Sequence, residues 1–507
     1  MLFLYDYIVA IQVAVVACVF AWLFGGTMAG VMTPVMPWLV LVLVEVMLCF
    51  PQRYAYETTY DARERVWSDL KADPMTWVTL GFFGLLLIPF VNKGLCPVCD
   101  YAAINLGGAD PRPPIPFVPF CVNRVQHLTV VMWFVPALTA MLAVKHSLLR
   151  RGKRMVLELV VWNGVALALV GFLQQITGAE GPLWIGSDGQ HPYFFSTFGY
   201  ANMGGDYFTT LFGLSVGLWR WKVETVRKQT SGSGDGDAAP LTSHALFWKK
   251  HLMLVPAGIF FFSALTTLSR AAIILVSLMA VMFFVHAFVS FFKRLPRIHR
   301  VKASAVSVVV LILIAVSLVY FLPGDLQREV DSLSTTTVLN RVSGKNAYPT
   351  RVATDIWTKN LLFGCGGWGY IHFSVQEMTD QELKSLRAWY GNDGTSNVHN
   401  DSLQFLAEHG LVGFSCLVAL VVLLVWPLGR VWKALISVVQ FTPTRDQPPR
   451  PVAFFALPAP VFCILVTAVA TVVHSFADCP FRSPAVLTLF FVSLAAMEGF
   501  LPRLKER

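Results

Sequence analysis

Charge is what this chain has least of. Only 14% of its 507 residues are charged, against 55% hydrophobic. Soluble chains carry about a quarter charged residues, so a soluble globular protein is excluded and an integral membrane protein is expected. Cysteine is scarce as well, at nine, too few for a disulfide framework. Cys96-Pro-Val-Cys99, with Cys121 nearby, could be oxidised if that loop lies outside the cytoplasm. It assembles too few ligands for zinc, and no metal is expected. The run from Met1 to Phe24 lacks a basic region ahead of it and reads as a first span, not a cleavable signal. The external loops hold no HExxH, no GxSxG and no carboxylate pair at metal spacing, and the one glycine cluster lacks the GxxxxGKS/T pattern of a nucleotide loop.

What is present is apolar sequence in long runs. Windows long enough to span a bilayer fall at about 6–26, 31–50, 75–92, 127–145, 155–174, 205–221, 251–268, 271–290, 304–323, 409–428, 452–475 and 484–501. The expectation is therefore an all-α membrane protein of about twelve transmembrane helices, residues 1–507 forming a single polytopic domain. The formal net charge of +9 does not point to nucleic acid, because the basic residues gather beside apolar runs. Lys145 to Arg154, Arg220 to Lys250, Lys293 to Lys302, Arg430 to Arg450 and Arg503 to Arg507 all fall on one side of a twelve-span chain. By the positive-inside rule that side is the cytoplasm, with both termini inside. A short surface helix is expected around Tyr60–Leu70, and Thr230–Pro240 reads as a flexible linker.

The opposite side carries the candidates. Its longest loop, 324–404, far exceeds what joins packed helices; helices are expected near 325–337, 350–361 and 377–390. The loop ends in Ser396-Asn-Val-His-Asn-Asp-Ser-Leu-Gln-Phe-Leu-Ala-Glu-His-Gly410. Asp401 and Gln404 have capping-box spacing, so a helix starts at or near Asp401. That leaves His399 just outside a helix N-terminus, where backbone N–H groups favour anions. An imidazole titrates near neutrality and suits a general base. Glu408, nine residues on, would lie about 12 Å away along a helix, so the two are not expected to form a dyad. Glu408 pairs more naturally with Gln404 one turn back, either in support or as a tie between loop and bundle. Arg270, in a very short external turn, sits where the positive-inside rule depletes arginine, and its planar fork suits a diphosphate. Arg341 and Arg351 lie in the long loop, as does the cluster Gly364-Cys-Gly366-Gly-Trp-Gly369, which permits a tight turn or close approach to a ligand. The segment 175–204 holds Trp184, His191, Tyr193, Phe194, Phe195, Phe198 and Tyr200, either a headgroup-level aromatic belt or a saccharide-stacking surface. Proton-coupled transport would want ionisable residues buried within spans, and Asp6, Glu45 and Glu158 are the main candidates.

These residues carry a family likeness. His399-Asn400, Leu403-Gln404 and Glu408-His-Gly-Leu-Val-Gly413 resemble the signature that follows the large periplasmic loop of the O-antigen ligase and polymerase superfamily, membrane glycosyltransferases that use undecaprenyl-diphosphate-linked sugars. Arg351, Trp357 and Phe363-Gly364-Cys-Gly366 resemble the preceding segment, without its proline. Leu268-Ser269-Arg270-Ala271 resembles the family's Ser-Arg-Gly turn with alanine for glycine. Thr197-Phe198-Gly-Tyr-Ala-Asn202 resembles a further element but lacks an upstream arginine, for which His191 is the nearest replacement. The likeness spans about 180–430.

The resemblance implies inverting, metal-independent transfer of a glycan from undecaprenyl diphosphate to an acceptor hydroxyl at the periplasmic face of a bacterial inner membrane, with no cofactor. It implies Arg270 with Arg351 or Arg341 on the donor diphosphate, and His399 on the acceptor. Asn400, Gln404, Glu408, Asn202, Gly364 and Gly366 are in support. Lipid A-core is the namesake acceptor, which would place the chain in lipopolysaccharide biosynthesis. Polymerisation of repeat units and transfer to a protein serine or threonine share these motifs. A polysaccharide transporter or a non-enzymatic assembly protein stand as readings of another class.

Overall fold

The computed structural model describes residues 2–27, 29–92, 115–185, 194–232, 243–292, 348–379, 381–382, 384, 397–440 and 457–501. Among them the architecture is all-α. The helices are α1 (Leu2–Trp22), α2 (Ala29–Leu48), α3 (Thr59–Ala72), α4 (Pro74–Leu87), α5 (Arg124–Leu142), α6 (Arg150–Ile176), α7 (Ala201–Gly232), α8 (Ser243–His251), α9 (Leu254–Thr266), α10 (Arg270–Phe292), α11 (Tyr348–Lys359), α12 (Gly369–Glu377), α13 (Asp401–Gln440), α14 (Ala459–Ser475) and α15 (Pro484–Ala496).

The expected twelve spans are not found among the described residues. Six of the described helices are long and apolar enough to cross a membrane: Leu4–Trp22, Arg124–Ser147, Arg150–Ile176, Ala245–Thr266, Arg270–Ser290 and Asp401–Gly429. A bent pair, Thr59–Ala72 with Pro74–Phe90, makes up to seven. The windows at 31–50, 452–475 and 484–501 fold as the shorter apolar helices Met32–Leu48, Ala459–Ser475 and Pro484–Phe500. The last two, of about 17 residues, reach about 25 Å, short of the roughly 30 Å hydrocarbon core, and the first runs within α2, which carries Pro34 and Pro37. The window at 75–92 belongs to the bent pair. Asp73 ends α3 in extended geometry, and its carboxylate then caps α4 through the N–H of Met75, with Pro74 at the first helical position. The chain therefore turns by 70° there. The window at 205–221 is the middle of α7, whose 32 residues include Asp206, Arg220, Lys222 and Glu224. The window at 304–323 lies outside the described residues. Without twelve spans, the parity of the basic loops no longer fixes a topology.

Helix α3 forms at the expected surface site, opened by a Thr58–Asp61 capping box and buried on one face through Ala62, Val66 and Leu70. Helix α7 is the axis of the bundle. It is buried from Met203 to Leu218 and flanked by α14, α9, α10 and α6.

Two ends of the bundle are distinguished by their contacts. At one, Arg151 meets Tyr7, Lys153 meets Glu498, Arg154 meets Gly499 and Lys222 meets Glu158. At the other, Thr197 bonds Ala21, Ser483 bonds Gly25 and Gln175 bonds Thr266.

The described part of the long loop packs on that second end around its own small core of Phe120, Val122, Val352, Ile356, Cys365, Tyr370, Val398 and Ala407. Its attachment explains the glycine cluster. Helix α13 breaks at Gly410, whose φ of 63° and ψ of −172° leave helical space. The loop supplies the missing partners: Cys365 and Gly366 donate to the carbonyls of Ala407 and Glu408, while Leu411 and Val412 donate to those of Leu361 and Leu362, at 2.8–3.0 Å. Gly364, at φ 69°, lies so close that a Cβ would fall 2.3 Å from the Glu408 carbonyl carbon. The close backbone approach read from these glycines is thus to the chain's own broken helix.

Candidate active site

The helix start expected near Asp401 is at Asp401. Its cap is Asn400, whose Oδ1 accepts from Leu403 N–H at 3.0 Å. The Asp401 carboxylate is turned elsewhere, accepting from Phe481 N–H at 2.7 Å. Gln404 is fully buried and reaches back to accept from Val398 N–H at 2.9 Å. Between these two ties His399 is held in the left-handed region at φ 55°, a conformation costing a non-glycine residue about 1–2 kcal/mol. Its imidazole is presented to solvent, 43% exposed.

His399 Nδ1 lies 3.2 Å from Asp478 Oδ1. Asp478 belongs to the short turn between α14 and α15, and its carboxylate is 4% exposed. The Tyr200 hydroxyl donates to it at 3.1 Å, Cys479 N–H at 2.8 Å and the Cys479 thiol at 3.3 Å, and the Asn202 amide donates to Oδ2. Burial alone would raise this carboxyl, but the His399 hydrogen bond and charge, His474 and the Cys479 N–H hold it well below the usual range. Burial, reinforced by the Asp478 carboxylate, pushes the Tyr200 phenol up. A carboxylate bound to Nδ1 fixes the imidazole with its proton on that nitrogen and the Nε2 lone pair outward, the arrangement of a general base.

Arg270 opens α10 on the same end of the bundle. Ser269, buried, accepts from Ala272 N–H at 3.3 Å and so caps the helix, and Leu268 before it is at φ 58°. The turn packs on α7 at Gly205, where a Cβ would lie 2.6 Å from Ala272 and 3.0 Å from Ser269. Gly205 stands three residues beyond Asn202, an Asp478 donor. One helix terminus therefore ties the Arg270 turn to the His399–Asp478 pair.

Glu408 is a structural tie. It is 2% exposed, accepts from Gln404 Nε2 at 3.1 Å as its one-turn spacing suggested, and pairs with Arg482 Nη2 at 2.8 Å. The Arg482 guanidinium lies 4.9 Å from the Trp368 ring centre. Arg351 is exposed and engaged by two carboxylates, Asp355 at 2.8 Å and Glu382 at 2.6 Å. Arg341, His191, Cys96 and Cys99 lie outside the described residues. Cys121 is buried, its thiol donating to the Pro89 carbonyl at 3.2 Å. A second buried pair sits below the site, Asp206 of α7 with His474 Nδ1 of α14 at 2.9 Å, joined by Thr471 at 3.2 Å.

Residues 255–418 match the family model described as O-antigen ligase. That match supports placing the chain in the broad O-antigen ligase and polymerase superfamily, in agreement with the motif resemblance. No curated protein matches the chain. The part matching O-antigen ligase holds Arg270, Arg351, Gly364, Gly366, His399, Asn400, Gln404 and Glu408, but not Tyr200, Asn202, Asp478 or Arg482.

Asp478 and Arg482 are the residues around this candidate site that sequence reasoning missed, and a signal for one was available. Arg482 lies in a short turn between two apolar runs, the same setting that singled out Arg270. Asp478 shares that turn, but nothing in its spacing shows that the turn reaches His399, 79 residues earlier in the chain.

Proposed function

We propose that the protein transfers a glycan from a polyprenyl-diphosphate donor to an acceptor hydroxyl, with inversion, on the side of the membrane away from the cytoplasm. The observation that carries this reading is the His399–Asp478 pair, an exposed imidazole oriented by a buried carboxylate, on the same end of the bundle as Arg270. His399 Nε2 accepts the proton of the acceptor hydroxyl as its oxygen attacks the anomeric carbon. The bond from that carbon to the diphosphate oxygen breaks, and polyprenyl diphosphate leaves. Arg270, with the N-terminus of α10, meets the negative charge on the leaving group. Arg351 is given no part, since Asp355 and Glu382 occupy it.

The sidedness is supported by charge. Arg151, Lys153, Arg154 and Lys222 gather at the opposite end, together with Tyr7 near the start of α1 and Phe500 beyond α15. By the positive-inside rule that end, and with it both termini, is cytoplasmic, and the His399 end faces the periplasm of a bacterial inner membrane. The namesake reaction makes lipid A-core the acceptor, with a second repeat unit or a protein hydroxyl as the alternatives.

One observation favours a different class. The fully buried Asp206–His474 pair is the kind of ionisable group that a proton-coupled transporter keeps inside its bundle. An assay in detergent, where no gradient exists, separates the two. The purified protein is supplied with undecaprenyl-diphosphate-linked glycan and, in separate reactions, lipid A-core, repeat unit or peptide. Turnover without ATP, lost in His399→Ala and Arg270→Ala proteins of unchanged melting temperature, is expected. Full turnover in either variant refutes the assigned roles, and no turnover with any acceptor favours transport.

A further inference from the structure

Cys479 takes no part in the transfer step, yet its thiol points at the centre of the site. We propose that His399, Asp478 and Cys479 bind one thiophilic divalent cation of the zinc class, and that occupancy blocks transfer. The binding half stands on geometry alone; the blocking half rests on the proposed function.

One ligand atom from each of the three residues lies within 4.8 Å of the others. His399 Nδ1 is 3.2 Å and Cys479 Sγ 3.3 Å from the same oxygen, Asp478 Oδ1. Around tetrahedral zinc, with bonds of about 2.0–2.3 Å, neighbouring ligand atoms stand about 3.3–3.6 Å apart. Two of the three separations already approach this and the third, between Nδ1 and Sγ, is at most 4.8 Å, so a cation enters by drawing the imidazole and the thiol together. A nitrogen, an oxygen and a sulfur together suit zinc or cadmium, whereas magnesium and calcium take oxygen ligands. Asn202 holds the carboxylate at Oδ2 and the Tyr200 hydroxyl lies 3.1 Å from both oxygens, the outer support that fixes a ligating group. His399 alone of the three is exposed. It gives ions a way in and leaves room for water as the fourth ligand.

The protons balance. The Cys479 thiol loses its proton to solvent, and the imidazole proton moves from Nδ1 to Nε2 as Nδ1 takes the cation. The cation replaces two of the hydrogens that converge on Oδ1, those of His399 Nδ1 and the Cys479 thiol, while the Cys479 N–H stays on that oxygen. With Nε2 protonated, His399 has no lone pair for the acceptor hydroxyl, so the bound cation fixes the wrong tautomer for catalysis.

Cadmium titration of the detergent-purified full chain tests binding through the ultraviolet charge-transfer band of cadmium thiolate. A Cys49→Ser, Cys96→Ser, Cys99→Ser background removes one exposed cysteine and the Cys96–Cys99 pair. One equivalent should saturate the band, zinc should bleach it, and Cys479→Ser should abolish it. His399→Asn, a change at an exposed side chain, should weaken cadmium binding about tenfold or more. No band in the background protein, or a band unchanged in either variant, overturns the site. Transfer is then measured with and without zinc, each protein against its own zinc-free rate. Inhibition in the background protein but not in Cys479→Ser is expected, and equal inhibition of both overturns the blocking role. The cadmium band is read whether or not transfer is observed, so failure of the proposed function and failure of the site are told apart.

Discussion

Arg270 is in an unfavourable place for helix stability. As the first residue of α10 it faces the positive end of the helix dipole, where a cation costs about 0.3–1 kcal/mol. The same geometry concentrates positive potential on one spot, which is useful only toward an anion. Arg270→Gln keeps a long polar side chain there without the charge. Its kcat/KM for the lipid-linked donor should fall about a hundredfold or more; a donor titration of both proteins checks this. At Asp478 the expected loss is of another kind. Asp478→Asn keeps the size of the side chain but not the charge that stabilises a protonated His399, and kcat should drop about a hundredfold to ten-thousandfold. Donor KM should change little, and that split of kcat from KM separates a positioning role from a binding one. His372 gives a residue-scale test of stability. It is buried beside Gln126, 2.6 Å from Nε2, and burial lowers its pKa from 6.5 to about 4. The unfolded chain then binds the proton first, so the stabilisation is complete above pH 6.5 and is lost as pH falls toward 4. The loss is at most about 1.4 kcal/mol per pH unit. The melting temperature should decline over that interval, and His372→Gln should flatten the decline.

Among the elements, the turn 476–483 and the break in α13 hold the loop to the bundle. The Arg482–Glu408 pair joins them in a nearly dry setting, with side chains 9% and 3% exposed. Removing one partner strands a buried charge, so Arg482→Met should cost about 3–5 kcal/mol. Arg482→Met combined with Glu408→Leu should recover most of that, and a double-mutant cycle of melting temperatures measures the coupling. Recovery would assign the pair to folding and leave the chemistry to His399. Sequence reasoning could reach part of this. Gln404 and Glu408 are one turn apart and were legible as partners; the start of α13 was placed at the right residue, but Asn400, not an Asp401–Gln404 capping box, makes the cap. The break at Gly410 was not, because the hydrogen bonds that replace the helical ones come from residues 361–366, and the sequence signature of each half is only a glycine.

For the whole molecule, apolar content gave the class correctly and the number of spans wrongly. Composition registers burial, and the runs that fold as α14 and α15 are buried among other helices in stretches shorter than a full span. Tertiary position decides between these outcomes, and a hydropathy window does not contain it. Charge is informative at this scale for the opposite reason. A basic side chain marks an end of the bundle whichever helix carries it, so the grouping of Arg151, Lys153, Arg154 and Lys222 survives the corrected count. It predicts a sidedness that can be measured directly. Phe117 is 89% exposed, close in sequence to the start of α5 on the His399 end. Tyr56 is 83% exposed and lies near Gln52, which contacts Leu149 on the basic end. In a background lacking Cys49, Cys96 and Cys99, Phe117→Cys should react with a membrane-impermeant maleimide in right-side-out vesicles. Tyr56→Cys should react only after the vesicles are opened. The reverse pattern would put the His399–Asp478 pair in the cytoplasm, away from any donor displayed on the outer leaflet. Reaction at both positions in sealed vesicles would show that the two ends do not lie on opposite sides of a membrane.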